Sequence, residues 1–192
     1  MFRRLYDRTI SLASGPYALW TLAAVAFIES SVFPIPPDVL MIPMIIARRD
    51  RAFLIAGVAM VASVLGGILG YFIGAFAFEQ IGRPILESLG KGDQIDAFNQ
   101  KFNDFGFWAV LIAGLTPFPY KVITIMSGWT GLPFATFLIT SIVARGGRFF
   151  LVAALLWKFG EPIRGFIEKR LGLVLTVFVI VLVGGFVLVK YL

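Results

Sequence analysis

Apolar residues in this chain run in long blocks separated by short charged segments, and prolines break two of the blocks. Residues 1–14 put Phe2, Leu5, Tyr6, Ile10 and Ala13 on one helical face, with Arg3, Arg4, Asp7, Arg8 and Ser11 on the other. That pattern predicts an amphipathic helix lying on a membrane surface. Within residues 17–47, 17–33 are apolar apart from Glu29, Ser30 and Ser31, then Pro34, Pro36, Pro37 and Asp38 interrupt, and 39–47 continue apolar. A spanning helix needs about 20 residues, and neither arm reaches that comfortably. The segment is therefore expected to enter and leave the membrane on one side, as a re-entrant hairpin. Residues 52–78 are uncharged throughout and predict a transmembrane helix, with Gly66, Gly70 and Gly74 as a stripe for close packing.

The same order then recurs. Residues 79–104 are polar and interfacial, with Asp93 suited to cap a helix carrying Ile95, Phe98 and Phe102. Residues 105–133 form a second broken hairpin, interrupted at Pro117 and Pro119 and ending near Gly128, Gly131 and Pro133. Residues 134–157 predict another transmembrane helix, 160–170 a short amphipathic piece, and 171–189 a final transmembrane helix. The expected fold is an all-α polytopic membrane domain. It is an inverted repeat of re-entrant hairpin plus transmembrane helix, with one extra C-terminal helix.

Charge orients this scheme. The N-terminus, residues 48–51 and residues 158–170 fall on one side with net +2 each, whereas residues 79–104 fall on the other with net −2. The positive-inside rule puts the N-terminus in the cytoplasm. Arg3 and Arg4 precede an apolar stretch as in a signal peptide. No clean small-residue cleavage site ends that stretch and Glu29 lies inside it, so the segment is expected to be retained.

Composition narrows the chemistry. At 59% hydrophobic and a mean hydropathy of +0.90, the 192 residues suit one membrane domain and leave no room for a soluble one. There is no Cys and no His, which excludes disulfides, thiol nucleophiles, phosphohistidine and the commonest general base and metal ligand. No metal or cofactor is expected, and no nucleophile–base pair points to an enzyme. The net charge of +6 suits cytoplasmic loops and anionic lipid and not nucleic acid.

Five ionisable residues lie in the embedded segments: Glu29, Asp38, Lys121, Arg145 and Arg148. A charge at the middle of a transmembrane helix costs about 2.5–3.5 kcal/mol even on lenient scales, so these mark function or tight pairing. Arg145 and Arg148 are three apart and share a helical face. The five sum to one positive charge, which an anion would complete. Arginine suits phosphate because its planar fork binds two oxygens. Lys121 and Asp38 stand where half-helices restart after prolines, and free N–H groups there favour anions. Lys121, Arg145 and Arg148 are thus candidates for substrate binding. Glu29 and Asp38 are candidates for proton coupling, since burial and a nearby arginine pull a carboxylate in opposite directions. The structural alternative is that the arginine–carboxylate pairs only hold the hairpins in register. Similarly, Trp20, Trp108, Trp129 and Trp157 suit interfacial anchoring, and Ser30, Ser31 and Thr116 suit backbone groups freed at the breaks.

The chain resembles the DedA family, also called the SNARE-associated or VTT-domain family, over roughly residues 15–160. The resemblance rests on Glu29 followed by Phe33-Pro34-x-Pro36-Pro37-Asp38, on Gly66-Gly67-x-x-Gly70-Tyr71-x-x-Gly74, on the second proline hairpin ending at Gly128, and on Arg145. It is most similar to the small YqaA-type branch. The resemblance implies opposed re-entrant loops, movement of phospholipid or undecaprenyl phosphate across a bacterial inner membrane, and dependence on the proton motive force. Glu29 and Asp38 match the acidic positions of the first hairpin. The second hairpin departs from the family pattern, having Lys121 where most members carry arginines near the proline.

The combined expectation is a flippase for an anionic lipid head group, with membrane lipids and protons as partners. A proton-driven carrier of small solutes or ions and a non-catalytic membrane scaffold are the alternatives. The glycine stripe suits packing within one chain or between copies, which leaves a homo-oligomer open.

Overall fold

The computed structural model describes residues 17–31, 36–88, 92–116 and 119–160. Among these residues there is helix and short connection but no strand. The expected helices at 1–14 and 171–189, almost all of the piece at 160–170, and Pro34 and Pro117 lie outside the described residues.

The first pair of short helices is α1 (Ala18–Ser31) and α2 (Asp38–Ala47), followed by a 3₁₀ turn at Arg49–Arg51. Next come α3 (Ala52–Ala77), a π-turn at Phe78–Gly82, α4 (Arg83–Ser88) and α5 (Gly92–Asp104). The second short pair is α6 (Gly106–Leu115) and α7 (Tyr120–Trp129), and α8 (Phe134–Gly160) follows. Two continuous helices, Arg49–Gly82 and Phe134–Gly160, are long and apolar enough to cross a membrane. Both overrun the ends that hydropathy suggested. The first does so through the π-turn, which passes an extra residue into the helix without breaking it. Helix α5 begins at Gly92, so Asp93 falls in its first turn.

Prolines set the short helices. Pro37 directly precedes α2 in a helical conformation, and Pro119 precedes α7 in an extended one. At the far end of α7, Gly131 adopts φ +68. The Gly131 N–H bonds the Gly128 carbonyl, and the Leu132 N–H bonds the Ser127 carbonyl. This is the glycine-terminated C-cap that a helix stop requires.

Two apolar clusters divide the molecule. One joins Leu22 of α1, Met41, Met44 and Ile45 of α2, Ile55, Ala56 and Ala59 of α3, and Phe149, Ala153 and Leu156 of α8. The other joins Val110 and Ala113 of α6, Tyr120 and Ile123 of α7, and Leu132 and Phe137, with Tyr71 of α3 against it. Each cluster gathers one short pair. Helix α3 runs from the first cluster to the second and α8 runs from the second to the first, so the two are antiparallel.

Helix α3 packs along both α1 and α7. The backbones approach closely at glycines: a Cβ on Gly66 would strike the Phe27 carbonyl of α1, and one on Gly74 would strike the Ile125 carbonyl of α7. Outward-facing residues are apolar, among them Leu54, Val61, Leu65, Phe72 and Phe76 on α3 and Ile139, Val143, Leu151 and Leu155 on α8. A continuous apolar exterior of this kind suits hydrocarbon surroundings.

Candidate functional site

Between the two apolar clusters lies a polar layer supplied by every long element. On α3 it falls at Ser63, after the residues of the first cluster and before Tyr71 of the second. On α8 it falls at Ser141 and Arg145, after Phe137 and before Phe149.

Arg145 is the largest fully buried side chain of the described residues, at 1% exposure. Its Nη2 lies 2.5 Å from Glu29 Oε2, at the C-terminal end of α1. Its Nε donates to Ser63 Oγ at 2.6 Å, and Nη2 also reaches Ser30 Oγ at 3.3 Å. Ser30 Oγ and Ser63 Oγ are 2.7 Å apart, and Ser30 Oγ donates to Glu29 Oε2 at 3.1 Å. Aromatic rings lie against the guanidinium as well, with its carbon 4.6 Å from the Tyr120 ring centroid and 4.9 Å from that of Phe149. Both separations are within cation–π range. The Tyr120 hydroxyl in turn donates to Ser141 Oγ at 2.5 Å.

Arg148 makes the second pair. Its Nη2 is 2.5 Å from Asp38 Oδ2, the first residue of α2, and both side chains are 18% exposed. Its Nη1 donates to the Thr116 carbonyl at 3.2 Å, at the end of α6. The last carbonyls of a helix have no partner within it, so this bond satisfies one of them. One arginine therefore joins the break of the first short pair to the break of the second. A further tie joins the pairs directly: Thr124 Oγ1 of α7 donates to the Ser30 carbonyl at 3.1 Å.

Local helix electrostatics differ between the two acids. Asp38 begins a helix, where the dipole favours an anion, whereas Glu29 sits in the last turn of one, where the dipole opposes it. The guanidinium of Arg145 and the Ser30 hydroxyl offset that opposition.

Of the five embedded charges expected to matter, Glu29 pairs with Arg145 and Asp38 with Arg148. Lys121 is the second residue of α7, and its backbone carbonyl accepts from Thr124 Oγ1 at 2.9 Å. Ser31 Oγ bonds the Phe27 and Ile28 carbonyls as a backbone-satisfying serine should. Ser30 differs, since its hydroxyl serves Glu29 and Ser63 instead. Sequence reasoning missed Ser63, Tyr120, Thr124 and Ser141. Ser63 had a signal, being one of two polar residues in the uncharged run 52–78, the other being Tyr71. Among the described residues, no group of three or more carboxylates could hold a metal ion.

Comparison with known proteins identifies the family. The VTT domain matches residues 16–158. A protein of Haemophilus influenzae described as uncharacterised is 35% identical over 189 residues, covering 98% of both chains. An uncharacterised protein of Histophilus somni is 37% identical over 172 residues, covering 88% of this chain and 90% of its own. One of Methanocaldococcus jannaschii is 23% identical over 129 residues, covering 67% and 78%. No solved structure matches. The chain belongs to the VTT-domain family, also called the DedA or SNARE-associated family, and is a membrane protein.

Proposed function

We propose that this member of the VTT-domain family carries an anionic lipid head group, undecaprenyl phosphate or a phospholipid, between the leaflets of a bacterial inner membrane, and that proton exchange drives it. It acts as a carrier and not as an enzyme. The observation that supports this most is the pair of arginines on one face of α8, Arg145 buried and Arg148 partly so, each matched to a carboxylate flanking the break between α1 and α2.

A guanidinium fork already bonded to a carboxylate has fewer donors left for phosphate. If Glu29 and Asp38 take up protons, Arg145 and Arg148 lose their counter-ions in a poorly solvated layer, where an unpaired charge is expensive. A phosphate then becomes the best available partner. When the carboxylates lose their protons they reclaim the arginines and expel the phosphate. Protons and lipid thus exchange at the same two guanidinium groups, and only the head group needs a polar path because the tail stays in lipid.

The two short pairs act as opposed re-entrant hairpins of an inverted repeat, with the N-terminus in the cytoplasm. The gathering of each pair by its own apolar cluster and the antiparallel run of α3 and α8 support that reading. Alternating access then moves the hairpins against each other around a central site. Lys121, at the restart of the second hairpin, adds positive charge for the head group.

The complete pairing of Arg145 supports a second reading, a static scaffold. The two separate in proteoliposomes. Purified protein is reconstituted with labelled undecaprenyl phosphate or labelled phospholipid, with and without a pH gradient, beside Arg145→Ala. Translocation that follows the gradient and is lost in folded Arg145→Ala supports the carrier. Folded protein that moves neither lipid sinks it.

A further inference from the structure

We infer that α8 moves together with α6 against a fixed core of α1, α3 and α7, and that the polar layer is the sliding surface between them. This deepens the proposed alternating access, on which it rests, by naming the arms that move.

The core is joined backbone to backbone. A Cβ on Gly66 of α3 would strike the Phe27 carbonyl of α1, and one on Gly74 the Ile125 carbonyl of α7. In return, a Cβ on Gly128 of α7 would strike the Tyr71 carbonyl of α3. Glycines allow this close approach, and a backbone carbonyl has no rotamer with which to turn aside. Helices meshed in this way cannot slide without first separating. Thr124 of α7 completes the junction, donating to the Ser30 carbonyl of α1 at 3.1 Å and filling the space over Gly70 of α3.

Helix α8 meets that core through side chains. A Cβ on Gly146 of α8 would meet Met60 of α3, with its Sδ at 3.1 Å, and one on Gly67 of α3 would lie 3.6 Å from Phe137 Cζ of α8. Methionine is unbranched and repacks readily. The polar ties also run through long side chains: Arg145 to Glu29 and Ser63, and Tyr120 of α7 to Ser141 of α8. Such groups follow a displaced helix by changing rotamer, and sliding of packed helices over a side-chain surface is a known form of closure.

Helix α6 goes with α8. A Cβ on Gly114 of α6 would lie 2.6 Å from the Ala144 Cβ of α8, and Arg148 holds the Thr116 carbonyl at 3.2 Å. Because α6 is an arm of the second short pair and α1 an arm of the first, this motion displaces one pair against the other. It also carries both guanidinium groups along the axis of α8, the displacement that alternating access needs.

The chain contains no cysteine, so paired spin labels can be attached at introduced cysteines without background. One pair joins Phe76 of α3 to Leu155 of α8, and a control pair joins Phe76 to Trp20 of α1. All three side chains are exposed, with Phe76 beyond Tyr71 of the second apolar cluster and the other two beside Leu156 and Leu22 of the first. Distances are read by double electron–electron resonance on full-length protein in lipid nanodiscs. Two variants loosen α8: Tyr120→Phe removes the bond to Ser141, and Arg148→Gln weakens the tie to Asp38. In each, the Phe76–Leu155 pair is expected to gain a second distance displaced by about 5 Å, one helical turn. The Phe76–Trp20 distance is expected to stay as in the wild type. A Phe76–Leu155 distance that keeps its wild-type distribution in every folded variant, or a Phe76–Trp20 distance that changes with it, overturns the division. Because the readout needs no lipid movement, a displaced α8 in protein that translocates neither lipid would retain the moving helix and reject the carrier.

Discussion

Arg145 and Glu29 are separated by 116 residues in the chain and meet at 2.5 Å, joining α8 to the end of α1. The pair is buried, at 1% and 12% side-chain exposure. Its worth therefore depends on completeness: each partner is tolerable in the membrane interior only while the other is present.

Removing one partner alone is expected to be costly. Arg145→Ala should lower stability by about 3–5 kcal/mol, because Glu29 is left buried with the helix dipole against it. Arg145→Ala combined with Glu29→Gln should regain part of that loss, since no charge is then stranded. Chemical unfolding of the two variants in one detergent checks the order.

Arg148 should behave differently. Its side chain and that of Asp38 are each 18% exposed, so neither is as fully enclosed as Arg145. Arg148→Ala is expected to cost about 1–3 kcal/mol while releasing both Asp38 and the Thr116 carbonyl. Activity should fall further than stability, because both hairpin breaks lose their common tie. Translocation rate measured beside unfolding midpoint separates the two effects.

Tyr120 offers a way to divide ring from hydroxyl. Tyr120→Phe keeps the ring against Arg145 and loses only the bond to Ser141, for an expected cost of about 1 kcal/mol. Tyr120→Leu also loses the cation–π contact and should cost at least about 1 kcal/mol more. Repeating both in an Arg145→Met background should abolish the difference attributed to the ring, which a double-mutant cycle measures.

Glycines on α3 should differ sharply by position. Gly74→Ala would push its methyl into the Ile125 carbonyl and separate α3 from α7, at a cost of about 1–3 kcal/mol. Gly57 has open space where a Cβ would go, so Gly57→Ala should be neutral or stabilise by up to about 1 kcal/mol. Thermal unfolding of the pair tests the close approach directly.

Much of this arrangement was legible in the chain. The breaks at the prolines, the helix restarts near Asp38 and Lys121, and the shared face of Arg145 and Arg148 all follow from local rules of helix geometry. Which acid meets which arginine did not follow, because those pairings span more than a hundred residues and depend on how α8 lies against both short pairs. Ser63 carried only a weak signal, as one of two polar residues in the uncharged run 52–78. A lone serine in an apolar helix is inexpensive, and nothing in its neighbours reveals that it faces a buried guanidinium.

The central claim is that protons and an anionic head group exchange at the same arginines. It is tested most directly by measuring proton uptake when lightly buffered, purified protein binds a short-chain analogue of undecaprenyl phosphate. The account expects protons to be taken up on binding, the uptake to shrink in Glu29→Gln, and to vanish when Asp38→Asn is added. Binding of the analogue with no proton taken up, or with the same uptake in the double variant, would contradict it.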